Sequence, residues 1–208
     1  MNIIFDLDGT LIDSRTRLYS LFCHLVPDVS LSFENYWQFK RSGIGHEHLL
    51  GLLNKNEAGY FESFHKSWME LIESDEYLQL DKPFDGVEIL LKSLTQNKCK
   101  LFLLTARQFP EKVYMQLQGF GWADYFCEVM VTGQKVTKKD MLKRLNIQFS
   151  STVMVGDTGS DIANSNEMGA YSIGVLSGFH SEETLLKYNP NTVVGSVTDI
   201  NVQNPMGI

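Results

Sequence analysis

The sequence predicts an α/β protein in which a doubly wound parallel sheet carries an inserted, all-helical cap. Three observations support this fold class. Short apolar runs alternate with helical stretches through the second half of the chain, as they do in a parallel sheet covered by helices on both faces. One further apolar run stands at the start of the chain. Between these two parts lies a long stretch with helical patterns and no convincing strand.

The predicted strands are short apolar runs that mostly lack polar alternation. Strands that are buried on both faces of a parallel sheet have this appearance. The strands are Ile3–Phe5, Lys100–Leu104, Thr152–Val155, Tyr171–Val175 and Thr192–Val194, with a weaker candidate at Phe126–Val131.

Four helices of the alternating part are indicated by their ends or by their apolar spacing. Gly86–Thr95 has apolar residues at helical spacing, and Pro110–Gln118 begins with proline at a first-turn position. Thr137–Leu145 begins with a sequence close to a capping box. Ser160–Met168 is followed by Gly169, which suits a helix C-terminus.

The segment 14–81 interrupts the alternation. Its aromatic and leucine residues follow apolar stripes, which most simply form the core of a small helical bundle. A Pro-Phe-Asp-Gly turn at 83–86 leads back into the alternating part. We therefore predict an α/β core domain of residues 1–13 and 82–208 and a helical cap of residues 14–81.

Composition limits the functional classes. The 208 residues suit a core domain with a modest insertion. The net charge of −7 and the lack of a Lys/Arg cluster argue against a nucleic-acid partner. Without 18 successive apolar residues or a secretory leader pattern, we expect no membrane association and a cytoplasmic location. Cys23, Cys99 and Cys127 are odd in number and widely spaced, which favours buried thiols in a reducing compartment.

Two acidic pairs follow predicted strands, at the ends where open parallel sheets bind ligands. Asp6 and Asp8 come after the first strand, and Asp157 and Asp161 come after the strand at 152–155. In extended backbone Asp6 and Asp8 point the same way, and such close like charges are costly unless a cation or a shared proton relieves them. Magnesium prefers hard oxygen ligands. The pairs therefore predict a magnesium site.

A hydroxyl and a lysine complete the predicted site. Thr105 ends the strand at 100–104, where its hydroxyl can donate to a phosphate oxygen. Lys135, Lys138 or Lys139 can neutralise a phosphoryl group. Each feature also has an ordinary structural reading, since threonine can cap a strand and lysines commonly form a solvated helix face. It is the conjunction of acids, hydroxyl and lysine that favours phosphoryl transfer.

The segment Asp-Leu-Asp-Gly-Thr-Leu-Ile-Asp-Ser at 6–14 resembles the signature of the haloacid dehalogenase superfamily in its phosphatase-type form. The resemblance extends over nearly the whole chain, to the Val-Leu-Ser-Gly-Phe segment at 175–179. It points to the phosphoglycolate phosphatase-like and β-phosphoglucomutase-like branch. It implies a Rossmann-like core, and it implies that the inserted helical segment is a C1 cap.

The resemblance also implies residue roles. Asp6 is the nucleophile that becomes an aspartyl-phosphate, and Asp8 is the general acid and then the general base. Magnesium is held by Asp6, the backbone carbonyl of Asp8 and Asp157, with Asp161 close by or bound through water. An aspartate at position 8 favours phosphoryl chemistry over dehalogenation.

Thr105, together with the backbone N–H of Ala106, is expected to bind the phosphoryl group by the same resemblance. The lysine position is less certain, because no Lys-Pro pair occurs in this region. Lys138 fits best, because Met141 and Leu142 follow it at the expected spacing, and the other two lysines remain open.

The segment 40–48 occupies the place of the family's cap specificity loop. Arg41 and His46 are the expected substrate contacts, although a glycine-rich helix junction with surface charges explains the segment equally well. The mutase branch commonly has a basic residue where His46 is placed, so the histidine weakens the mutase reading, and Arg41 could substitute. Arg107 is either a further substrate contact or a surface charge at a strand end.

The sequence thus predicts a magnesium-dependent phosphatase for a small soluble phosphomonoester, similar to phosphoglycolate or a sugar phosphate. The expected partner is a small phosphorylated metabolite, and the expected assembly is a monomer or homodimer. A phosphomutase is the alternative among enzymes. A non-catalytic phospho-acceptor module, such as a response-regulator receiver, is the alternative class. Against that class, the acid pair comes first in the chain, and a helical cap makes little sense for a signalling switch.

Overall fold

The computed structural model of the protein describes residues 1–204. Its strands are β1 (Asn2–Phe5), β2 (Ile12–Asp13), β3 (Lys82–Pro83), β4 (Lys100–Thr105), β5 (Phe126–Val131), β6 (Thr152–Gly156), β7 (Tyr171–Val175) and β8 (Thr192–Val194). Its α-helices are α1 (Arg15–Leu25), α2 (Phe33–Arg41), α3 (His46–Leu52), α4 (Tyr60–Leu71), α5 (Asp75–Leu78), α6 (Val87–Gln96), α7 (Pro110–Gly119), α8 (Lys138–Leu142), α9 (Gly159–Met168) and α10 (Glu182–Leu186).

Six strands form one parallel sheet in the order β5-β4-β1-β6-β7-β8. β1 lies at its centre, with Ile3 paired to Leu101 on one side and to Val153 on the other. The predicted Rossmann-like α/β fold is therefore confirmed. The weaker strand candidate also forms, as the edge strand β5.

Alternation along β1 divides the core into two layers. Ile3 and Phe5 belong to a buried cluster that includes apolar residues of α6 and α7. Ile4 points to the opposite face, where Leu142 of α8 belongs to the cluster. Each central strand therefore contributes apolar residues to both faces, which explains why these runs lack polar alternation in the sequence.

Helices α1 to α5 bury a third cluster of apolar side chains, separate from the two clusters that cover the faces of the sheet. Its largest fully buried side chains include Tyr36, Phe22, Leu21, Leu49 and Leu50. Burying a side chain of this kind contributes about 1.5–3 kcal/mol. The aromatic stripes of segment 14–81 are therefore packing residues of a helical unit.

A two-stranded antiparallel ribbon joins the helical unit to the core. In it Ile12 of β2 pairs with Pro83 of β3, and Asp13 pairs with Lys82. The sequence did not reveal these strands, because two residues are too few to show a periodicity. We retain the division at residues 13/14 and 81/82 as a proposal, and this two-stranded ribbon lies at that division.

Two expectations need correction. The helix predicted over Thr137–Leu145 ends at Leu142. Cys127 is exposed, and the other two cysteines are only half-buried, although all three are free. Cys127 lies on the edge strand β5, directly after buried Phe126, so alternation turns its side chain outward. Among residues 1–204, no helix is long and apolar enough to cross a membrane.

Candidate active site

The residues singled out from the sequence meet at the carboxyl edge of three neighbouring strands. Asp6 directly follows β1, Thr105 ends β4, and Asp157 directly follows β6. β4 and β6 flank β1, so these residues lie beside one another, and all three are at least 95% buried. The backbone N–H of Asp6 donates to the carbonyl of Val155 at 2.9 Å, which extends the pairing of β1 and β6 to Asp6.

Three carboxylates form the centre of this site. Asp6, Asp157 and Asp161 each offer an oxygen, and these oxygens lie within 4.8 Å of one another. Burial raises the pKa of Asp6 to about 7, and the neighbouring Asp161 and Asp8 also raise it. Burial and the charges of Asp6 and Asp161 raise the pKa of Asp157 well above its usual range. Such crowded hard oxygen donors fit a divalent cation such as magnesium.

The structure separates the three candidate lysines. Lys138 Nζ lies 2.5 Å from Asp6 Oδ1 and 2.6 Å from Asp161 Oδ1. Burial alone would lower the Lys138 pKa, but the two carboxylates outweigh it and raise that pKa. Lys139 pairs with Glu167 nearer the surface, and Lys135 is exposed. Only Lys138 among them contacts the acid cluster.

Helix capping holds Lys138 and Asp161 in place. The Thr137 hydroxyl accepts the backbone N–H of Asp140, and the Asp140 carboxylate accepts the backbone N–H of Thr137, which completes a capping box at the start of α8. Asp161 has a double role. Its Oδ2 accepts from the backbone N–H and hydroxyl of Thr158 in the capping box of α9, while its Oδ1 contacts Lys138.

Two loops close over Asp157. Its Oδ2 accepts the backbone N–H of Phe179 at 2.6 Å, and its Oδ1 accepts the Thr10 hydroxyl at 3.3 Å. Glycine is needed on both loops, because a Cβ at Gly9 would lie 2.4 Å from Asp157 Oδ2 and one at Gly178 only 2.0 Å from it. Gly9 also adopts a φ of +83°, which favours glycine.

Asp8 is held by a ring of buried charges. Its carboxylate contacts Arg17 of α1, and it accepts two hydrogen bonds of 2.8 Å from Arg107. Asp81 closes the ring, accepting from Arg17 Nε at 2.8 Å and from Arg107 Nη2 at 2.9 Å. Burial would raise the Asp8 pKa, but Arg107 and Arg17 outweigh it and hold that pKa well below its usual range.

This ring corrects one expectation and adds two residues. Arg107 is not a surface charge, because it is 96% buried and committed to Asp8 and Asp81. Sequence reasoning missed Arg17 and Asp81 altogether. No local pattern could reveal them, since Asp81 lies 64 residues from one arginine partner and 26 from the other.

The two cap residues expected to contact substrate do not line the active-site cavity. Arg41 Nη1 donates to the carbonyl of Leu176 at 3.1 Å, which ties the cap to the loop after β7. The His46 ring packs against Trp68 and lies 3.0 Å from the Tyr36 hydroxyl. Burial, with the nearby charge of Lys40, lowers the His46 pKa to about 2. His46 is therefore a neutral packing residue.

A cavity of about 670 Å³ lies between sheet edge and helical unit. Asp6, Asp8, Thr105, Ala106 and Lys138 line it on the sheet side. Its other wall comes largely from α1 and α4, with Leu18, Trp68, Met69, Ile72 and Glu73. Among the residues predicted for the site, the cavity thus joins Asp6, Asp8, Thr105 and Lys138.

Comparisons with known proteins identify the family and the fold. The family model described as haloacid dehalogenase-like hydrolase matches residues 3–175. A phosphoglycolate phosphatase of Psychrobacter arcticus is 27% identical, covering 90% of this chain and 88% of its own. A pyrophosphatase, PpaX, of Bacillus pumilus is 26% identical, covering 95% of this chain and 93% of its own.

Solved structures share the fold. A putative phosphatase from Clostridium difficile superposes with a TM-score of 0.79 at 24% identity, covering 96% of this chain and 95% of its own. A β-phosphoglucomutase from the same organism superposes with a TM-score of 0.64 at 22% identity, covering 96% and 92%. These structures share the fold, and the family match over residues 3–175 shows that the chain belongs to the haloacid dehalogenase-like hydrolases.

Proposed function

We propose that this protein is a magnesium-dependent phosphatase that hydrolyses a small phosphomonoester through an aspartyl-phosphate on Asp6. One observation carries the proposal. Asp6 is buried in a cavity at the sheet edge, 2.5 Å from the Lys138 ammonium, and its carboxylate oxygen lies within 4.8 Å of oxygens of Asp157 and Asp161. A carboxylate nucleophile, a cation for the phosphoryl oxygens and an oxygen-rich metal site are what phosphoryl transfer to a carboxylate requires.

In the proposed reaction an Asp6 oxygen attacks phosphorus, and the bond from phosphorus to the leaving oxygen breaks. Asp8 gives its proton to that oxygen. Asp8 then takes a proton from water, whose oxygen attacks phosphorus and releases inorganic phosphate, so that the Asp6 carboxylate is restored. Lys138 and the Thr105 hydroxyl stabilise the charge on the phosphoryl oxygens. Since Arg17 and Arg107 hold Asp8 as a carboxylate, Asp8 acts as an acid only after it has gained a proton and loosened an ion pair.

Asp6 and Asp157, with the backbone carbonyl of Asp8, would hold the magnesium ion. When bound, the ion offsets the negative charge of the carboxylates and the phosphoryl group. Because one Asp161 oxygen caps α9 and the other contacts Lys138, we assign Asp161 an indirect role as an orienting residue near the ion.

A phosphatase is favoured over a phosphomutase. A mutase needs a group that retains the second phosphate of a bisphosphate intermediate. The cap residues considered for that task are committed elsewhere, since His46 packs among aromatic rings and Arg41 donates to a backbone carbonyl. A purely regulatory phospho-acceptor does not account for the cavity between cap and sheet.

Release of inorganic phosphate from an aryl phosphate tests the proposal. Activity should require magnesium, disappear with EDTA, and fall by about a thousandfold or more in Asp6→Asn, since the nucleophile is removed. Undiminished turnover in Asp6→Asn, with deamidation excluded by mass spectrometry, would refute the aspartyl-phosphate mechanism.

A further inference from the structure

The positive charges that line the cavity are all matched by carboxylates. Lys138 contacts Asp6 and Asp161, and the outer Lys139 pairs with Glu167. The two arginines of the cavity wall are shared between two aspartates, in the pairs Arg17–Asp8, Arg17–Asp81, Arg107–Asp8 and Arg107–Asp81. Within residues 1–204, the lining offers no unpaired cation to a second anionic group of a substrate.

The wall opposite the nucleophile is apolar. Leu18, Trp68, Met69 and Ile72 come from the cap, and Phe179 comes from the loop after β7. The acidic residue in this wall, Glu73, is turned to the core backbone, where it accepts the N–H groups of Gln108 at 2.7 Å and Phe109 at 3.3 Å.

The cavity is also larger than a phosphorylated two-carbon acid requires. Its volume of about 670 Å³ lies in the middle of the range of about 300–1,000 Å³ that is typical of sites for drug-sized molecules. A substrate must place its phosphoryl group at Asp6 and fill the remaining space against the apolar wall. A second carboxylate or phosphate placed there would lose water without gaining a cation, which is unfavourable.

On the basis of the proposed phosphatase activity, we infer that the substrate is the phosphomonoester of an uncharged alcohol with an apolar body about the size of an aromatic ring. The apolar body lies against Trp68, Met69 and Phe179. Glycolate-like and sugar bisphosphate substrates are disfavoured, because their second anion meets no free cation.

Specificity constants for three esters of primary alcohols test this inference: 2-phenylethyl phosphate, ethyl phosphate and phosphoglycolate. They share the leaving-atom type, so differences report on the rest of the molecule. We expect kcat/KM for 2-phenylethyl phosphate to exceed that of each of the others by about tenfold or more, from the transfer of the ring out of water. A preference for phosphoglycolate would overturn the inference and leave the proposed function intact.

Met69 allows the wall to be altered without touching the reacting groups. Met69→Lys adds a free cation and should lower the preference for 2-phenylethyl phosphate over phosphoglycolate by about tenfold or more. Met69→Gln, polar but uncharged, should weaken the 2-phenylethyl ester without improving phosphoglycolate. Met115→Lys is the matched control, because Met115 is 60% exposed on α7 and outside the cavity. Circular dichroism establishes that each variant is folded.

The outcomes distinguish the two proposals. If an aryl phosphate is hydrolysed in an Asp6-dependent manner but none of the three esters is, only the inference fails. If the aryl phosphate is not hydrolysed in that manner either, both proposals fail. If phosphate release depends on Asp6 but Met69→Lys and Met115→Lys give the same substrate preference, the apolar wall does not determine specificity, and only the inference fails.

Discussion

Arg17 provides a quantitative test of the charge ring around Asp8. Its side chain is only 4% exposed, and it contacts Asp8, lies 2.8 Å from Asp81, and donates to the carbonyl of Ile72 at 3.1 Å. Arg17→Met keeps the aliphatic stem but leaves two buried carboxylates to share Arg107. Removing one partner of a buried ion pair costs about 3–5 kcal/mol, a large part of the 5–15 kcal/mol that stabilise an ordinary domain.

The chain supplies a matched control two residues earlier on the same helix. Arg15 also pairs with an aspartate, Asp13, at 2.6 Å, but its side chain is 36% exposed. Arg15→Met should therefore cost only about 0–1 kcal/mol. The two substitutions are chemically identical and share a helix, so their difference measures the effect of burial.

Urea unfolding followed by tryptophan fluorescence and circular dichroism gives the free energies, with m-values compared between variants. The double variant Arg17→Met/Asp81→Asn should lose less than the sum of its single changes, because the neutral amide no longer needs the arginine. If Arg17→Met costs less than about 1 kcal/mol, no more than Arg15→Met, then water replaces the guanidinium at little cost, and our reasoning about the ring is wrong.

Three further predictions concern the acid cluster. Lys138→Ala should lower kcat by about a hundredfold or more, whereas Lys139→Ala should not. The rate of steady-state phosphate release measures both effects, and equal losses in the two variants would contradict the assignment of Lys138. Gly178→Ala should displace Asp157, since the new Cβ would lie 2.0 Å from its carboxylate oxygen, and thereby reduce the rise in Tm caused by magnesium; Gly119→Ala, with nothing within 4 Å, is the control, and equal rises would refute the steric argument. In EDTA, burial raises the Asp6 pKa from 3.8 to about 7, so the folded state favours the protonated acid and stability should fall as pH rises between these values. Asp6→Asn should flatten that fall in a thermal-unfolding series, and an unchanged slope would show that another group causes it.

The features that the sequence revealed are those encoded within a few neighbouring residues. Strands β1 and β6 are apolar runs followed at once by an aspartate, so one local pattern gave both the fold and the positions of Asp6 and Asp157. Lys138 was favoured by the apolar residues on its own helix turn, and the structure brings this lysine to the acid cluster.

The remaining features depend on partners that are distant in the sequence. Arg107 was noticed next to Thr105, but its burial is set by Asp8 and Asp81, which belong to other parts of the chain. His46 was expected to contact substrate, yet it begins α3, and its environment is set by rings from α1, α2 and α4. The position of a residue in the sequence does not determine what its side chain contacts, because tertiary packing does.

The two-stranded ribbon of β2 and β3 bears on how the helical cap of such a protein could be replaced by another. Because residues 13 and 82 are paired neighbours, a foreign helical unit spliced between them would leave the strand order of the sheet unchanged. Such a chimera would nevertheless lose Arg17 and Asp81, which are two of the charged groups surrounding Asp8. A functional transplant must therefore carry both residues with it, because the charges that hold Asp8 come partly from the segment that would be replaced.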